Sequence, residues 1–116
     1  MCPAEDQMAS PEQKRAPVVL VAEDEIIIRI AVADHLRECG FQVVEAANGA
    51  EAKALILAGL EVDLVFSDIQ MPDVDGVALA LWLSEHGVDA PIVLTSGMPE
   101  ALKAAQSACT NVNVFV

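Results

Sequence analysis

Basic residues are scarce in this sequence. Only 6 Lys and Arg residues stand against 18 Asp and Glu residues in a chain of 116, which gives a formal net charge of −12. A surface of that charge repels nucleic-acid phosphates and anionic membrane surfaces. The composition therefore argues against direct nucleic-acid binding, and the length is that of one domain.

Long apolar runs and a secretion signal are also lacking. The apolar stretches are far shorter than the ~20 residues that a membrane-spanning helix needs. The N-terminus does not have the basic-then-apolar order of a signal peptide. We therefore expect a cytoplasmic protein that does not associate with membranes.

Cysteine is sparse and unevenly placed. Cys2, Cys39 and Cys109 are an odd number, lie far apart and include no Cys-x-x-Cys pair. This spacing favours neither a disulfide framework nor a zinc site, so the three are expected to be incidental thiols. His35 and His86 have no second metal ligand close by in sequence, and surface or helix-capping roles are expected for them.

Short β-branched runs alternate with helical patterns along most of the chain. The patterns predict strands at about 18–22, 41–45, 63–67, 91–95 and 112–116, with helices at about 25–39, 48–60, 76–86 and 99–108 between them. This alternation is typical of an α/β fold with a mostly parallel sheet and helices on both faces. Residues 1–16 lack an apolar period, so they are predicted to be a flexible N-terminal tail before a domain at 17–116.

Three of the predicted strands end at polar residues. Glu23 and Asp24 follow the first strand, Asp68 follows the third and Thr95 ends the fourth. The carboxyl ends of parallel strands face one crevice, so these side chains are expected to converge there. Three clustered carboxylates raise one another's pKa unless a cation shares them, and Mg²⁺ suits such ligands. A carboxylate held against that ion can attack a phosphoryl group to form an acyl phosphate.

Three motifs in a fixed order carry a family resemblance. Glu23-Asp24 closes the first strand, residues 68–76 fit the pattern D-x-x-M-P-x-x-D-G, and Thr95-Ser96-Gly97 follows the fourth strand. In this order and spacing, the chain resembles the receiver domain of two-component response regulators over residues 17–116. The resemblance implies a flavodoxin-like three-layer sandwich with a five-stranded parallel sheet in the order 2-1-3-4-5.

The same resemblance implies a role for each residue of the acidic crevice. Asp68 is the expected phospho-acceptor. Asp24, Asp68 and the backbone carbonyl of Gln70 are expected to bind Mg²⁺, and Glu23 is expected to act through a water molecule.

A switch is implied as well. Thr95 is the expected switch hydroxyl, Phe115 matches the aromatic residue that changes rotamer with it, and Ser96 is small enough to leave access to Asp68. The phosphoryl group is expected to come from a sensor histidine kinase or a histidine phosphotransfer protein. A downstream protein partner would read the altered surface, and the domain would catalyse only its own phosphorylation and dephosphorylation.

One part of the family pattern has no counterpart in the sequence. A Lys is expected shortly after the fifth strand and a final helix after it, but the sequence ends at Val116. We therefore expect a C-terminally incomplete domain whose natural polypeptide continues past Val116. Without that helix, the apolar side of residues 112–116 is expected to stay exposed and to favour self-association.

Two other functions compete with the switch. A phosphatase of the haloacid-dehalogenase type also uses a strand-end Asp with Mg²⁺, but it needs a second Asp two residues later, where this chain has Gln70. A receiver-like interaction module that is never phosphorylated is disfavoured because Asp24, Asp68 and Thr95 are all present.

The first predicted helix begins with an apolar run beside the acidic crevice. Ile27 and Ala31 are spaced i, i+4, and Ile28 and Ala31 are spaced i, i+3. They could form one patch that docks a helix of the phosphodonor. The alternative is that Ile28 belongs to the core, since helical periodicity allows both.

Overall fold

The computed structural model describes residues 16–110, which form four strands and four helices in strict alternation. They are β1 Val18–Ala22, α1 Ile26–Glu38, β2 Gln42–Ala46, α2 Gly49–Leu57, β3 Leu64–Asp68, α3 Gly76–Glu85, β4 Ile92–Thr95 and α4 Met98–Thr110. The elements predicted for this range are confirmed, with ends shifted by a few residues. The predicted fifth strand, with Phe115, and residues 1–15 of the predicted tail lie outside the described residues.

The four strands form one parallel sheet in the order β2-β1-β3-β4. This confirms the flavodoxin-like α/β architecture and four of the five positions in the predicted strand order. β1 is buried at all five positions, as expected of a central strand that is covered on both faces. Its Val and Leu side chains alternate between those faces, which gives the sheet two separate cores.

The two cores lie on opposite faces of the sheet. On the first face, Val19 and Val21 of β1 pack with residues of α1 and α4. On the second face, Leu20 and Ala22 pack with residues of α2 and α3. Helices therefore cover both faces, as predicted, and α4 lies beside α1.

The C-terminal ends of α1 and α4 are joined by a disulfide bond. Cys39 caps the C-terminus of α1 and bonds to Cys109 in the last turn of α4, with Cα atoms 5.7 Å apart across a sequence separation of 70. The expectation that Cys39 and Cys109 are incidental thiols is therefore wrong. Sequence spacing alone gave no reason to pair Cys39 with Cys109. The packing of α1 against α4 brings these two cysteines together in the fold. Cys2 lies outside the described residues.

The two histidines lie in different surroundings. His86 is exposed at the C-cap of α3, and its Nδ1 lies 2.9 Å from the carbonyl oxygen of Trp82, which confirms a capping role. His35 is half-buried beside the disulfide rather than on the open surface. The sequence could not indicate this because its neighbour Cys109 belongs to α4.

Candidate functional site

An acidic cluster lies at the carboxyl ends of β1 and β3. Parallel pairing of these strands places Ala22 opposite Ser67, so the next residues, Glu23 and Asp68, are adjacent. One carboxylate oxygen from each of Glu23, Asp24 and Asp68 lies within 4.8 Å of the others. The structure therefore brings together the three acids that the sequence placed in one crevice.

Thr95 adjoins this cluster through the pairing of β3 with β4. Asp68 and Thr95 are direct register partners, and the N–H of Ile69 donates to the carbonyl oxygen of Thr95 at 2.9 Å. Thr95 is only 6% exposed. Glu23, Asp68 and Thr95 line one small cavity of about 10 Å³, close to the space that a single water molecule needs.

Glu23 is a buried acid with a raised pKa. It is 4% exposed, and its Oε2 accepts a hydrogen bond from the N–H of Glu25 at 3.1 Å. Burial raises the pKa of Glu23 to about 7 despite that hydrogen bond, and the charge of Asp68 adds to the increase. Near neutral pH, Glu23 therefore holds its proton far more readily than an exposed glutamate does.

The pKa of Asp68 is raised as well. Burial raises its pKa first, the charge of Asp24 raises it further, and a hydrogen bond from the backbone of Gln70 partly opposes the change. Burial is thus the main reason that the charged forms of Glu23 and Asp68 are disfavoured, and the neighbouring carboxylates add to it. A divalent cation would offset both effects.

An open cleft of about 410 Å³ borders the cluster. Its walls include Asp24, Asp68, Gln70, Ser96 and Gly97. Asp24, Gln70 and Ser96 are exposed, so Asp68 can be reached from solvent. A set of oxygen ligands at the edge of an open cleft fits a hard cation such as Mg²⁺. This ion prefers carboxylate and carbonyl ligands and retains some of its water molecules.

Two supporting residues were not identified from the sequence. Arg29 donates from Nη1 to the carbonyl oxygen of Glu23 at 2.8 Å, and its Nε lies 3.4 Å from Glu45 Oε1. Ser67 donates its hydroxyl to the carbonyl oxygen of Asp68 at 2.9 Å. Both hold backbone next to the cluster. The sequence held one signal for Arg29, since this basic residue lies within two helical turns of the acidic run at 23–25.

The loop between β3 and α3 is held by its own acids. Asp73 accepts hydrogen bonds from the N–H groups of Ala50, at 2.9 Å, and Val74, at 2.7 Å, and these bonds lower its pKa. Asp75 caps α3 by accepting from the N–H of Ala78 at 2.7 Å. These two acids of the D-x-x-M-P-x-x-D-G pattern therefore shape the loop and do not belong to the acidic cluster.

Gly76 is required by close packing at the end of that loop. A Cβ atom there would lie 2.5 Å from the carbonyl oxygen of Asp68 and 3.1 Å from the Cα of Ile69. The N–H of Gly76 also donates to the carbonyl oxygen of Ile69 at 2.7 Å. The residue thus lets α3 begin directly against the backbone of the candidate acceptor.

The proposed docking residues separate into exposed and buried positions. Ile27 is 71% exposed, whereas Ile28 is 8% exposed and packs in the core between α1 and α4. The burial of Ile28 favours the alternative that it belongs to the core, although it also lines the open cleft. Ala31 is half-buried, and Ile26 and Ile30 are exposed beside Ile27.

Comparison with known proteins identifies the family. A model of the response regulator receiver domain matches residues 19–116. The chain belongs to this family. The match spans both the acidic cluster and Thr95, so the receiver motifs and the observed site coincide.

Relatives of this receiver domain are longer proteins. The chain is 42% identical over 80 residues to the transcriptional regulatory protein PdtaR of Mycobacterium tuberculosis, an alignment that covers 67% of this chain and 38% of that protein. It is 39% identical over 83 residues to the sensor kinase CckA of Brucella abortus, covering 71% of this chain and 9% of the kinase. The chain thus spans well under half the length of these relatives.

Solved receiver structures share the fold. The receiver domain of the Francisella response regulator 1452 is 26% identical, with a TM-score of 0.71 over 85% of this chain and 95% of that one. The response regulator TrrA of Thermotoga maritima, in complex with Mg²⁺ and BeF, is also 26% identical, with a TM-score of 0.64 over 80% of this chain and 98% of that one.

Membership of the family defines the broad role of the chain. Receiver domains are signalling switches of two-component systems rather than classical enzymes. Within residues 16–110, no helix combines the length and apolar character needed to cross a membrane.

Proposed function

We propose that this receiver domain accepts a phosphoryl group on Asp68 and that the resulting acyl phosphate changes a surface read by a partner protein. The observation that carries the proposal is the position of Asp68, which lies in the acidic cluster and is at the same time the register partner of Thr95. An acceptor and a hydroxyl that can sense its modification are thus adjacent on two strands.

The proposed phosphodonor carries a phosphohistidine. A carboxylate oxygen of Asp68 attacks the phosphorus atom, and the bond between phosphorus and the imidazole nitrogen breaks. The nitrogen keeps the electron pair and takes up a proton, and the aspartyl residue becomes an acyl phosphate. The hydroxyl of Thr95 then donates a charge-assisted hydrogen bond to a phosphoryl oxygen.

Mg²⁺ is the cofactor that we assign to the acidic cluster. Asp24, Asp68 and the backbone carbonyl of Gln70 would hold the ion directly, and Glu23 would act through a water molecule. When bound, the ion supplies positive charge that offsets the negative charge of the carboxylates and of the incoming phosphoryl group. The assignment is supported by the position of the three carboxylates, which offer oxygen atoms within 4.8 Å of one another. Burial, and secondarily the neighbouring acidic charges, raise the pKa of Glu23 and of Asp68, and a cation would offset both effects.

The partners follow from the same chemistry. A sensor histidine kinase or a histidine phosphotransfer protein would donate the phosphoryl group, and a downstream protein would bind the switched domain in the cytoplasm. Ile27, with Ala31 and the exposed Ile30, offers an apolar patch beside the cleft for a helix of the donor. The net charge of −12 argues against nucleic acid or an anionic membrane as the partner.

Residues 17–116 are proposed as the receiver domain and residues 1–16 as a flexible tail. Phe115 is retained as the proposed aromatic partner of Thr95 in the switch. Neither assignment is needed for the chemistry at Asp68.

The haloacid-dehalogenase type of phosphatase remains the alternative from the enzyme class. It is disfavoured because Gln70 occupies the position of its second Asp, so no side-chain carboxylate stands there to assist hydrolysis. An interaction module without phosphorylation is disfavoured because the acids are clustered and Asp68 can be reached through an open cleft.

One experiment separates the three functions. The full-length protein is incubated with acetyl phosphate and Mg²⁺, and both bound and released phosphate are measured over time. We expect bound phosphate that saturates near one per chain. Continuous release with little bound phosphate would favour the phosphatase, and no reaction at all would favour the interaction module.

A further inference from the structure

The contact between α4 and the rest of the fold is made mainly by small side chains. Its buried residues are Ala101, Ala105 and Ala108, and Met98 and Cys109 are partly buried against the same core cluster. Each alanine removes only one methyl group from water, so apolar burial holds α4 less firmly than Leu or Ile residues would. The disulfide between Cys39 and Cys109 adds a covalent link that holds the C-terminal end of α4 against α1.

The N-terminal end of α4 is connected to the functional site. Thr95 ends β4, Ser96 and Gly97 line the cleft, and α4 begins at Met98. The N–H of Ala101 donates to the carbonyl oxygen of Gly97 at 3.0 Å, which ties the first turn of α4 to the cleft wall. Movement of α4 would therefore move residues that border Asp68.

The disulfide is placed where a thiol reagent can reach it. Cys39 and Cys109 are half-buried rather than enclosed in the core, and a ring nitrogen of His35 lies within 4.8 Å of both sulfur atoms. An imidazole N–H at that distance can donate a hydrogen bond to a departing thiolate. In the cytoplasmic location proposed above, a bond of this kind would be reduced and reformed rather than permanent.

We propose that Cys39 and Cys109 form a reversible redox site, and that its reduction by a dithiol releases α4 from α1. A thiolate of the reductant attacks one sulfur, the Cys39–Cys109 bond breaks, and the other sulfur leaves as a thiolate that takes up a proton. The second thiol of the reductant then attacks the mixed disulfide and releases the remaining cysteine. Two electrons and two protons thus pass to this chain, and the reductant becomes a disulfide.

The consequence concerns the surface formed by α4. With the bond intact, α4 is held against α1; with the bond reduced, it is free to leave that position and to loosen the cleft wall at Ser96 and Gly97. An effect of redox state on signalling rests on the proposed function. The release of α4 itself does not.

The test measures hydrogen exchange of the α4 amides in the oxidised and reduced full-length protein. Within residues 1–116, a Cys2→Ser background leaves only the Cys39 and Cys109 pair, and a chelator prevents His35, Cys39 and Cys109 from holding a metal ion. Alkylation and intact mass first establish that neither thiol is free before reduction and that both are free afterwards. We expect exchange across 98–110 to accelerate at least about tenfold on reduction, with α2 unchanged.

A double variant, Cys39→Ser with Cys109→Ser, provides the control. It should exchange at the fast rate with or without reductant, which separates loss of the bond from other effects of the reagent. Reoxidation of the reduced protein with oxidised glutathione should restore slow exchange.

Equal exchange of α4 in the two redox states would overturn the inference, as would free thiols at both cysteines under oxidising conditions or a bond that does not reform. The measurement uses no phosphodonor. A failure of phosphorylation at Asp68 would therefore overturn the proposed function and leave this inference standing.

Discussion

Asp68 and Thr95 are register partners on adjacent parallel strands, each at the carboxyl end of its strand. Their separation is therefore set by the sheet and not by a loop, and the N–H of Ile69 bonds to Thr95 on the same edge. A group added to the side chain of Asp68 would therefore lie beside Thr95. The proposed switch depends on this relationship.

Removal of the Thr95 hydroxyl should uncouple modification from response. In Thr95→Ala, phosphorylation is expected to remain close to normal, while the phosphorylation-dependent gain in partner affinity falls by ~1.5–3 kcal/mol, the value of one hydrogen bond to a charged group. Titration calorimetry with and without phosphodonor measures the gain. Thr95→Ser keeps the hydroxyl and should behave as the wild type. An unchanged gain in the alanine variant would exclude Thr95 as the sensor.

The buried Glu23 should make the metal-free domain less stable as the pH rises. Its pKa is raised from 4.5 to about 7 in the fold, so the native state holds an extra proton between those values and unfolding becomes easier as that proton is lost. The loss across this window is at most about 3 kcal/mol. Urea unfolding in a chelator at several pH values measures it.

Glu23→Gln should reduce this pH dependence, because an amide has no proton to lose, and the raised pKa of Asp68 should leave a smaller slope. Glu25→Gln, a neighbouring and exposed position, should keep it. Added Mg²⁺ should restore wild-type stability at the upper end of the window. A wild-type slope in the Glu23 variant would contradict the assignment of the raised pKa.

A side chain at Gly76 should disturb the acceptor directly. Gly76→Ala places a Cβ atom 2.5 Å from the carbonyl oxygen of Asp68, and we expect a loss of about 1–3 kcal/mol in stability together with slower phosphorylation. Gly87→Ala provides a comparison, because Gly87 has a φ of +74° and open space around it. That variant should lose about 1 kcal/mol and still phosphorylate at the normal rate. Equal rates in the two variants would show that Gly76 does not position Asp68.

The apolar patch on α1 should matter only for a protein donor. Ile27→Lys is expected to slow transfer from the cognate phosphodonor protein at least about tenfold while leaving acetyl phosphate unaffected, because a buried contact is replaced by a charge. Leu57→Lys is a matched control, since Leu57 is 68% exposed on α2. If the two variants phosphorylate at the same rate from the protein donor, the patch is not the docking site.

The main features of the site could be predicted because they depend on sheet geometry. Parallel strands expose their carboxyl ends at one edge, so acids that follow β1 and β3 and a Thr that ends β4 had to meet. The same pattern did not reveal that Glu23 is buried while Asp24 is exposed. Glu23 and Asp24 differ in burial because the chain turns away from the sheet at this point. No local sequence pattern indicates that turn.

Contacts between separate helices could not be predicted in this way. The bond between Cys39 and Cys109 exists because α4 packs beside α1, and alanines at i, i+4 and i+7 give only a weak signal of which helix they face. Ile28 was ambiguous for a related reason. The helical period places Ile28 between the exposed and the buried face of α1. It is buried because α4 packs against it.

The most direct test of the account is to locate the phosphoryl group. The full-length protein, its Asp68→Asn variant and an Asp89→Asn control are treated with acetyl phosphate and Mg²⁺, and each is analysed by intact and peptide mass spectrometry. Asp89 is an exposed acid near the start of β4, at the opposite end of that strand from Thr95. We predict one phosphoryl group on the peptide that contains Asp68 in the wild type and the control, and none in Asp68→Asn. Wild-type phosphorylation of Asp68→Asn would contradict the account.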